Sequence, residues 1–223
     1  MHGKKRSGFT LVEILVVIAI IGILLGVAVS AFSSSGTSER RAARGEVLSL
    51  LTRARSHAIS SGQPTALALV GLDDGPEDMR GRALTLFEVK RSQTGDDWVV
   101  VEQLRRWVRL PGKTALLDDS LAGATSGKGT NVLDSETLLE AEVPEGPGGR
   151  MTAVNLSFVV FESTGAVSHP PGSGRVEFLI GEGFQQSGSL VVTGRTAAGE
   201  AVVDRVVLSR LTGRAQSVAG REE

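Results

Sequence analysis

Between Phe9 and Phe32 the chain runs for 24 residues interrupted by polar side chains only at Thr10, Glu13 and Ser30. As a helix rising ~1.5 Å per residue this run reaches ~36 Å, enough to cross a hydrocarbon core of ~30 Å. The eight residues before it carry Lys4, Lys5 and Arg6 and no acid. Gly22 and Gly26 stand four apart, a spacing that lets a second helix approach closely in lipid. A cleavable secretory signal is the rival reading, with Val29-Ser30-Ala31 as its cleavage site. Two features oppose it. The run exceeds the usual apolar region of about 7–15 residues. Glu13, moreover, sits inside it, where a carboxylate costs roughly 2.5–3.5 kcal/mol on insertion scales. No cation lies nearby on the same helix, so a partner for this acid must come from elsewhere. The Lys/Arg count does not fix orientation, because Arg40, Arg41 and Arg44 follow closely on the far side.

The string Gly8-Phe9-Thr10-Leu11-Val12-Glu13, after a short basic leader and ahead of an apolar helix, resembles the class III signal of type IV pilins and type II secretion pseudopilins. The resemblance implies cleavage after Gly8 by a prepilin peptidase and methylation of the new terminal residue, Phe9. It implies that Lys4, Lys5 and Arg6 stay at the cytoplasmic face and that the bulk of the chain lies outside. It also assigns Glu13 to pair with the free amine of a neighbouring subunit, setting assembly register. Two opposite charges close together in low dielectric attract strongly, which supplies the missing partner. Without residues 1–8 the chain keeps 24 − 3 = 21 basic and 25 acidic residues, a net charge of −4.

Beyond the span, Ser33-Ser34-Ser35-Gly36-Thr37-Ser38 are weak helix formers and should loosen or bend the helix. Helical spacing then resumes: Ala43, Val47, Leu50, Ala54 and Ala58, with Leu51 beside them, form one apolar stripe that should rest on a globular domain. Gly62-Gln63-Pro64 ends it. Five Arg against two Glu between Gly36 and Gly62 give this helix a basic face, which reads as a solvated surface or as charge matching to neighbours or lipid headgroups. Its closing residues Ala54-Arg55-Ser56, Ala58-Ile59 and Gly62-Gln63-Pro64 resemble the end of the long helix in H-type minor pseudopilins (GspH) and FimT-type minor pilins. His57 reads as an ordinary surface histidine.

From Pro64 onward the pattern alternates over short runs: Thr65–Val70, Ala83–Val89, Trp98–Val108, Val154–Phe161, Arg175–Ile180, Leu190–Thr193 and Ala201–Leu211. Turn signals such as Asp73-Asp74-Gly75-Pro76 and His169-Pro170-Pro171-Gly172 separate them. The expected class is therefore α+β, a long N-terminal helix on an antiparallel two-sheet or sandwich-like domain. The expected organisation is a leader at 1–8, a transmembrane and assembly helix at 9–35, an amphipathic half at 36–62 and a β-rich periplasmic domain at 63–223. Residues 121–150 read as a loop-rich insertion, a decoration bracketing a strand or helix at Val132–Val143. Phe161-Glu-Ser-Thr-Gly165-Ala-Val and Gly213-Arg214 resemble the late strands of the same family.

Little in the chain suggests bond chemistry. There is no Cys and only His2, His57 and His169, too few and scattered for a histidine metal cluster. Gly127-Lys128 fails the phosphate-loop pattern at Ala122 and Gly129, and Gly181-Glu182-Gly183 lacks the third glycine of a dinucleotide fingerprint. Asp73, Asp74, Glu77 and Asp78 offer clustered carboxylates for calcium but lack ordered alternate ligands, and they read as a solvated turn. Arg105, Arg106 and Arg109, or Arg210, Arg214 and Arg221, could meet nucleic-acid phosphates, but the acidic mature chain and its closing Glu222 and Glu223 disfavour that. No enzyme activity, cofactor or metal is expected. The resemblance implies a minor pseudopilin of a type II secretion pseudopilus, held in the inner membrane with its domain in the periplasm. Its partners would be the prepilin peptidase, other major and minor pseudopilins, and the inner-membrane assembly platform. A FimT-like DNA-uptake pilin and an exported β-rich enzyme are the alternatives.

Overall fold

The computed structural model describes residues 11–18, 20–21, 35–93, 97–123, 129–145 and 149–218. Residues 11–18 and 20–21 are helical. Helix α1, Ser35–Ser61, is the long element of the described chain. Its buried positions Ala43, Val47, Leu50, Leu51, Ala54 and Ala58 are fully covered, so the stripe legible in the sequence is the face that packs. Gly62 closes the helix at φ +70°, donating its N–H to the Ala58 carbonyl at 3.1 Å. Contrary to the expected loosening, Ser35, Gly36, Thr37 and Ser38 are already helical. A Cβ on Gly36 would fall 2.3 Å from a Glu182 carboxylate oxygen, so the missing side chain lets the β domain close on the helix there. Ser33 and Ser34 lie outside the described residues.

The helix rests on two sheets. The first has strand order β3-β2-β1-β8-β7, built from Trp98–Gln103, Ala83–Arg91, Thr65–Val70, Met151–Phe161 and Leu139–Pro144. β4 (Val108–Arg109) pairs with β2, β9 (Val167–His169) pairs with β8, and every pairing in this sheet is antiparallel. All six residues of β1 are buried, because both faces of the sheet are covered. Leu67, Leu69, Val159 and Phe161 face α1 and the second sheet, while Ala66, Ala68, Phe158 and Val160 face the other way. The edge strands β3 and β7 approach each other, so the sheet curls around this second core and encloses Phe87, Trp98 and Met79.

The second sheet runs β11-β10-β12-β13, from Ser189–Val192, Arg175–Gln186, Asp204–Leu208 and Ala215–Val218. β5 (Thr114–Leu117) joins β10 antiparallel, and β6 (Gly129–Asn131) joins it parallel. Phe178, Ile180, Val206 and Leu208 from this sheet meet Phe161 and the α1 stripe in one core. Burying each such side chain contributes about 1.5–3 kcal/mol.

The α+β class is as the sequence indicates, and the details depart from it in informative ways. Trp98–Val108 divides into β3 and β4, and Ala201–Leu211 shortens to β12. β10 continues past Ile180 through Gly181 and Gly183. A Cβ at Gly181 would lie 2.4 Å from a Leu117 methyl and one at Gly183 2.8 Å from the Val191 carbonyl, so these glycines admit close neighbours rather than end the strand. β5, β6, β9 and β13 were not anticipated, β6 breaks the all-antiparallel pattern, and a one-turn helix α2 (Asp119–Ala122) intervenes, capped by the Asp118 side chain. Residues 121–150 are not a decoration: β7 pairs with β8 along six residue pairs and sets Leu139 and Val143 in the curled sheet's core.

His169 stacks on Phe158 with ring centroids 3.9 Å apart and planes at 7°. It precedes a cis peptide to Pro170. Arg210 braces the segment that follows, donating to the Pro170, Gly174 (2.7 Å) and Pro171 (3.3 Å) carbonyls. Burial, and then the positive charge of Arg210, push the His169 pKa down to about 4, opposed by a bond to the Thr137 backbone.

The long helix as candidate assembly site

Two parts of the helical region behave in opposite ways. On residues 11–18 and 20–21, Leu11, Val12, Ile14, Leu15 and Ile18 leave half or more of their surface open, and Leu11 is 80% exposed. Glu13 lies on this exposed stretch. No part of the described fold covers these side chains, which form an exposed apolar surface of the kind that marks an interaction site. Among the described residues no helix is long and apolar enough to cross a membrane; most of the run from Phe9 to Phe32 lies outside them. Lys4, Lys5, Arg6, Gly8 and Phe9 likewise lie outside the described residues.

Helix α1, in contrast, is fastened to its own β domain by charge as well as by its apolar stripe. Arg40, buried, pairs with Glu182 of β10. Glu39 accepts from the Lys113 N–H at 2.9 Å, Arg44 faces Asp204 at 3.7 Å, and Glu46 faces Arg105 at 3.7 Å. Farther along, Arg55 donates to the Thr212 carbonyl at 2.8 Å, and His57 Nδ1 meets Thr65 Oγ1 at 3.1 Å where the helix turns into β1. His57 is thus half-buried at a joint rather than a plain surface residue. Of the five arginines counted on this segment, Arg40, Arg44 and Arg55 serve the chain's own domain, and Arg41 and Arg53 face outward. Sequence reasoning missed Glu182 and Asp204 as partners, because nothing local marks a strand acid as the mate of a helix arginine over a hundred residues away, and it read Arg105 as a possible phosphate contact rather than as the mate of Glu46.

The acidic and basic clusters of the β domain separate in the same way. Asp74 accepts the Gly75 and Asn155 N–H groups, Glu77 accepts the Gly188 N–H, and Asp78 pairs with Arg109 at 2.5 Å. The acidic turn is therefore tied outward to three different elements. Among the described residues no group of three or more His, Asp or Glu is placed to hold a metal. Of the basic residues, Arg105 and Arg109 are ion-paired and Arg210 braces the cis-proline segment. Arg214 instead opens, with Arg175, Ser209 and Thr212, onto a cavity of about 220 Å³. Arg221 and residues 124–128, which hold Gly127-Lys128, lie outside the described residues.

Residues 3–29 match the model of the Prokaryotic N-terminal methylation motif. Curated proteins give no match. Among solved structures, the type IV minor pilin FimU of Pseudomonas aeruginosa is similar at 14% identity and a TM-score of 0.41, over 81% of this chain and 93% of that one. The minor pseudopilin EpsH from the Type 2 Secretion System of Vibrio cholerae is similar at 15% identity and a TM-score of 0.40, over 83% of this chain and 99% of that one.

Proposed function

We propose that this chain, pilin-like by its N-terminal methylation motif, is a minor pseudopilin of a type II secretion pseudopilus. The observation that carries the reading is the helical residues 11–18 and 20–21, whose apolar side chains the described fold leaves open around a single carboxylate, Glu13. A surface of that kind is stable in lipid, and stable again among like helices, so one face serves storage and assembly. The ending of α1, from Ala54 to Pro64, favours the H-type among such subunits.

In this reading Lys4, Lys5 and Arg6 hold the leader at the cytoplasmic face of the inner membrane. The prepilin peptidase cuts after Gly8 and methylates Phe9. Glu13 then meets the terminal amine of an adjoining subunit, where opposite charges in low dielectric compensate each other's desolvation. The β domain stands in the periplasm, and contacts with the other pseudopilins and the assembly platform draw the subunit into the filament. The chain performs no bond chemistry itself.

A FimT-like minor pilin acting in DNA uptake is the second reading, favoured by the joint opening of Arg175 and Arg214 onto one cavity. The mature charge of −4 weighs against it. Mass spectrometry of the protein purified from its native membrane tests the main reading: the expected terminus is N-methylated Phe9, and a terminus near Phe32 would overturn it. Gel-shift with duplex DNA at physiological salt separates the two assemblies, since binding lost on Arg214→Ala would favour the uptake pilin.

A further inference from the structure

Away from the helix, a crevice of about 380 Å³ opens between the loop that follows β1, residues 71–74, and Asn155 and Ser157 of β8 on one side, and Asp118 with the 133–138 segment on the other. Four carboxylates line it, Asp73, Asp74, Asp118 and Glu136, and no basic side chain does. Two of these acids are fixed by the fold: Asp74 accepts the Gly75 and Asn155 N–H groups, and Asp118 accepts the Leu121 N–H and the Ser120 hydroxyl. Asp73 and Glu136 have no hydrogen bond or ion pair among the described residues.

A second observation lies at the floor. Ser157 sits opposite Leu69 in the β1–β8 register, and alternation along β8 turns it to the same side as Val159 and Phe161, between the sheets. It lines the crevice, is only 2% exposed, and its hydroxyl has no hydrogen-bond partner among the described residues. What little of Ser157 is exposed opens into the acid-lined crevice, so its hydroxyl is left able to accept from a donor that enters there. The side walls add Leu72, Leu133 and Leu138. The neighbouring Asp134 carboxyl is shifted above its usual value, first by partial desolvation and then by the like charges of Asp119 and Asp118, against a bond from the Asp119 N–H. Negative charge is therefore crowded on this side of the domain.

Acids at the rim, leucines on the walls and a hydroxyl at the floor match one chemistry, a cationic head on an aliphatic stem. A bare metal ion fits poorly, since no three acids or histidines converge among the described residues. We propose that this crevice receives an arginine or lysine side chain presented by a partner polypeptide. Charge complementarity selects the occupant, and the volume suits one long side chain rather than a secondary-structure element. The inference stands apart from the assembly reading, because it concerns the β domain alone and holds whatever the N-terminus does.

The test uses the full chain in detergent, titrated with N-acetyl-arginine amide and followed through the backbone amide NMR shifts of Gly71, Ser135 and Asn155. Saturable binding in the millimolar range, weakening with added salt, is expected. The double variant Asp73→Asn with Glu136→Gln, which removes no described hydrogen bond, should lose about tenfold in affinity, and Ser157→Ala about threefold. N-acetyl-citrulline amide, neutral and nearly the same shape, should bind at least about tenfold more weakly. Absence of saturable shifts up to about 50 mM, equal binding of the citrulline derivative, or unchanged affinity in the double variant each overturns the proposal. Spermidine binding more than about tenfold tighter than the arginine probe would assign the crevice to free polyamines and overturn it equally.

Discussion

The buried ring of His169 makes the stability of the β domain depend on pH in a way that can be calculated. In the folded chain its pKa is pushed down to about 4, by burial first and by Arg210 second, from an ordinary value of 6.5. The unfolded chain therefore takes up a proton on this residue at a pH where the folded chain does not. The stabilisation is fully present above pH 6.5 and is lost as pH falls from there toward 4. At ~1.36 kcal/mol per unit, those two values make the folded state ~2 kcal/mol less stable at pH 5 than at pH 7 through this one group. The perturbation is His169→Gln, which keeps a donor for the Thr137 backbone and removes the titrating ring. The assay is denaturant unfolding of the full chain in detergent at pH 7, 6 and 5, comparing the two proteins so that all other titrating groups cancel. The wild type should lose about 2 kcal/mol more than the variant between pH 7 and pH 5. Parallel curves for the two would refute the assignment of a neutral, buried His169.

Three further outcomes follow from the helix and its attachments. Glu13→Ala should leave cleavage after Gly8 intact, read by the mass of the mature chain, and abolish incorporation into filaments, read by shearing and immunoblotting; normal incorporation removes the pairing role. Glu182→Ala removes the β10 carboxylate from the buried Arg40 guanidinium, and should cost about 2 kcal/mol, or a thermal midpoint lower by about 4–8 °C in a scanning unfolding experiment. An unchanged midpoint would mean that the pair holds nothing. Gly213→Ala should destabilise by more than about 2 kcal/mol, because the residue sits at φ +59° and a Cβ would fall 1.9 Å from the Gly165 carbonyl oxygen; soluble expression at wild-type level with the same midpoint would contradict the close approach.

The parts of this molecule that could be read from residues alone are those governed by short-range periodicity. The spacing of Ala43, Val47, Leu50, Ala54 and Ala58 named the packed face of α1, and Gly62 with Pro64 named its end, because a helix repeats its environment every three to four residues. β1 was legible as the short run Thr65–Val70 that follows the helix stop. What escaped depends on partners distant in sequence. Gly181 and Gly183 read as a strand end, since their reason for being glycine is a Leu117 side chain and a Val191 carbonyl that only the folded sheet brings near. Leu139 and Val143 are a different case: their β8 partners Leu156 and Thr152 are near in sequence, and the glycine-rich composition on either side gave residues 121–150 the look of an insertion. In the candidate assembly site, Glu13 was conspicuous as a charge in an apolar run. The acids that hold Arg40 and Arg44 were not, because a lone Glu182 or Asp204 in a strand carries no local signal.

The fastening of α1 to its domain has a mechanical corollary. From Glu39 to His57 the rod is riveted at intervals, by Glu39 to the Lys113 amide, Arg40 to Glu182, Arg44 to Asp204, Glu46 to Arg105, Arg55 to Thr212 and His57 to Thr65. A pull or a twist that reaches α1 is therefore passed to the β domain at each of these points, rather than through a single hinge.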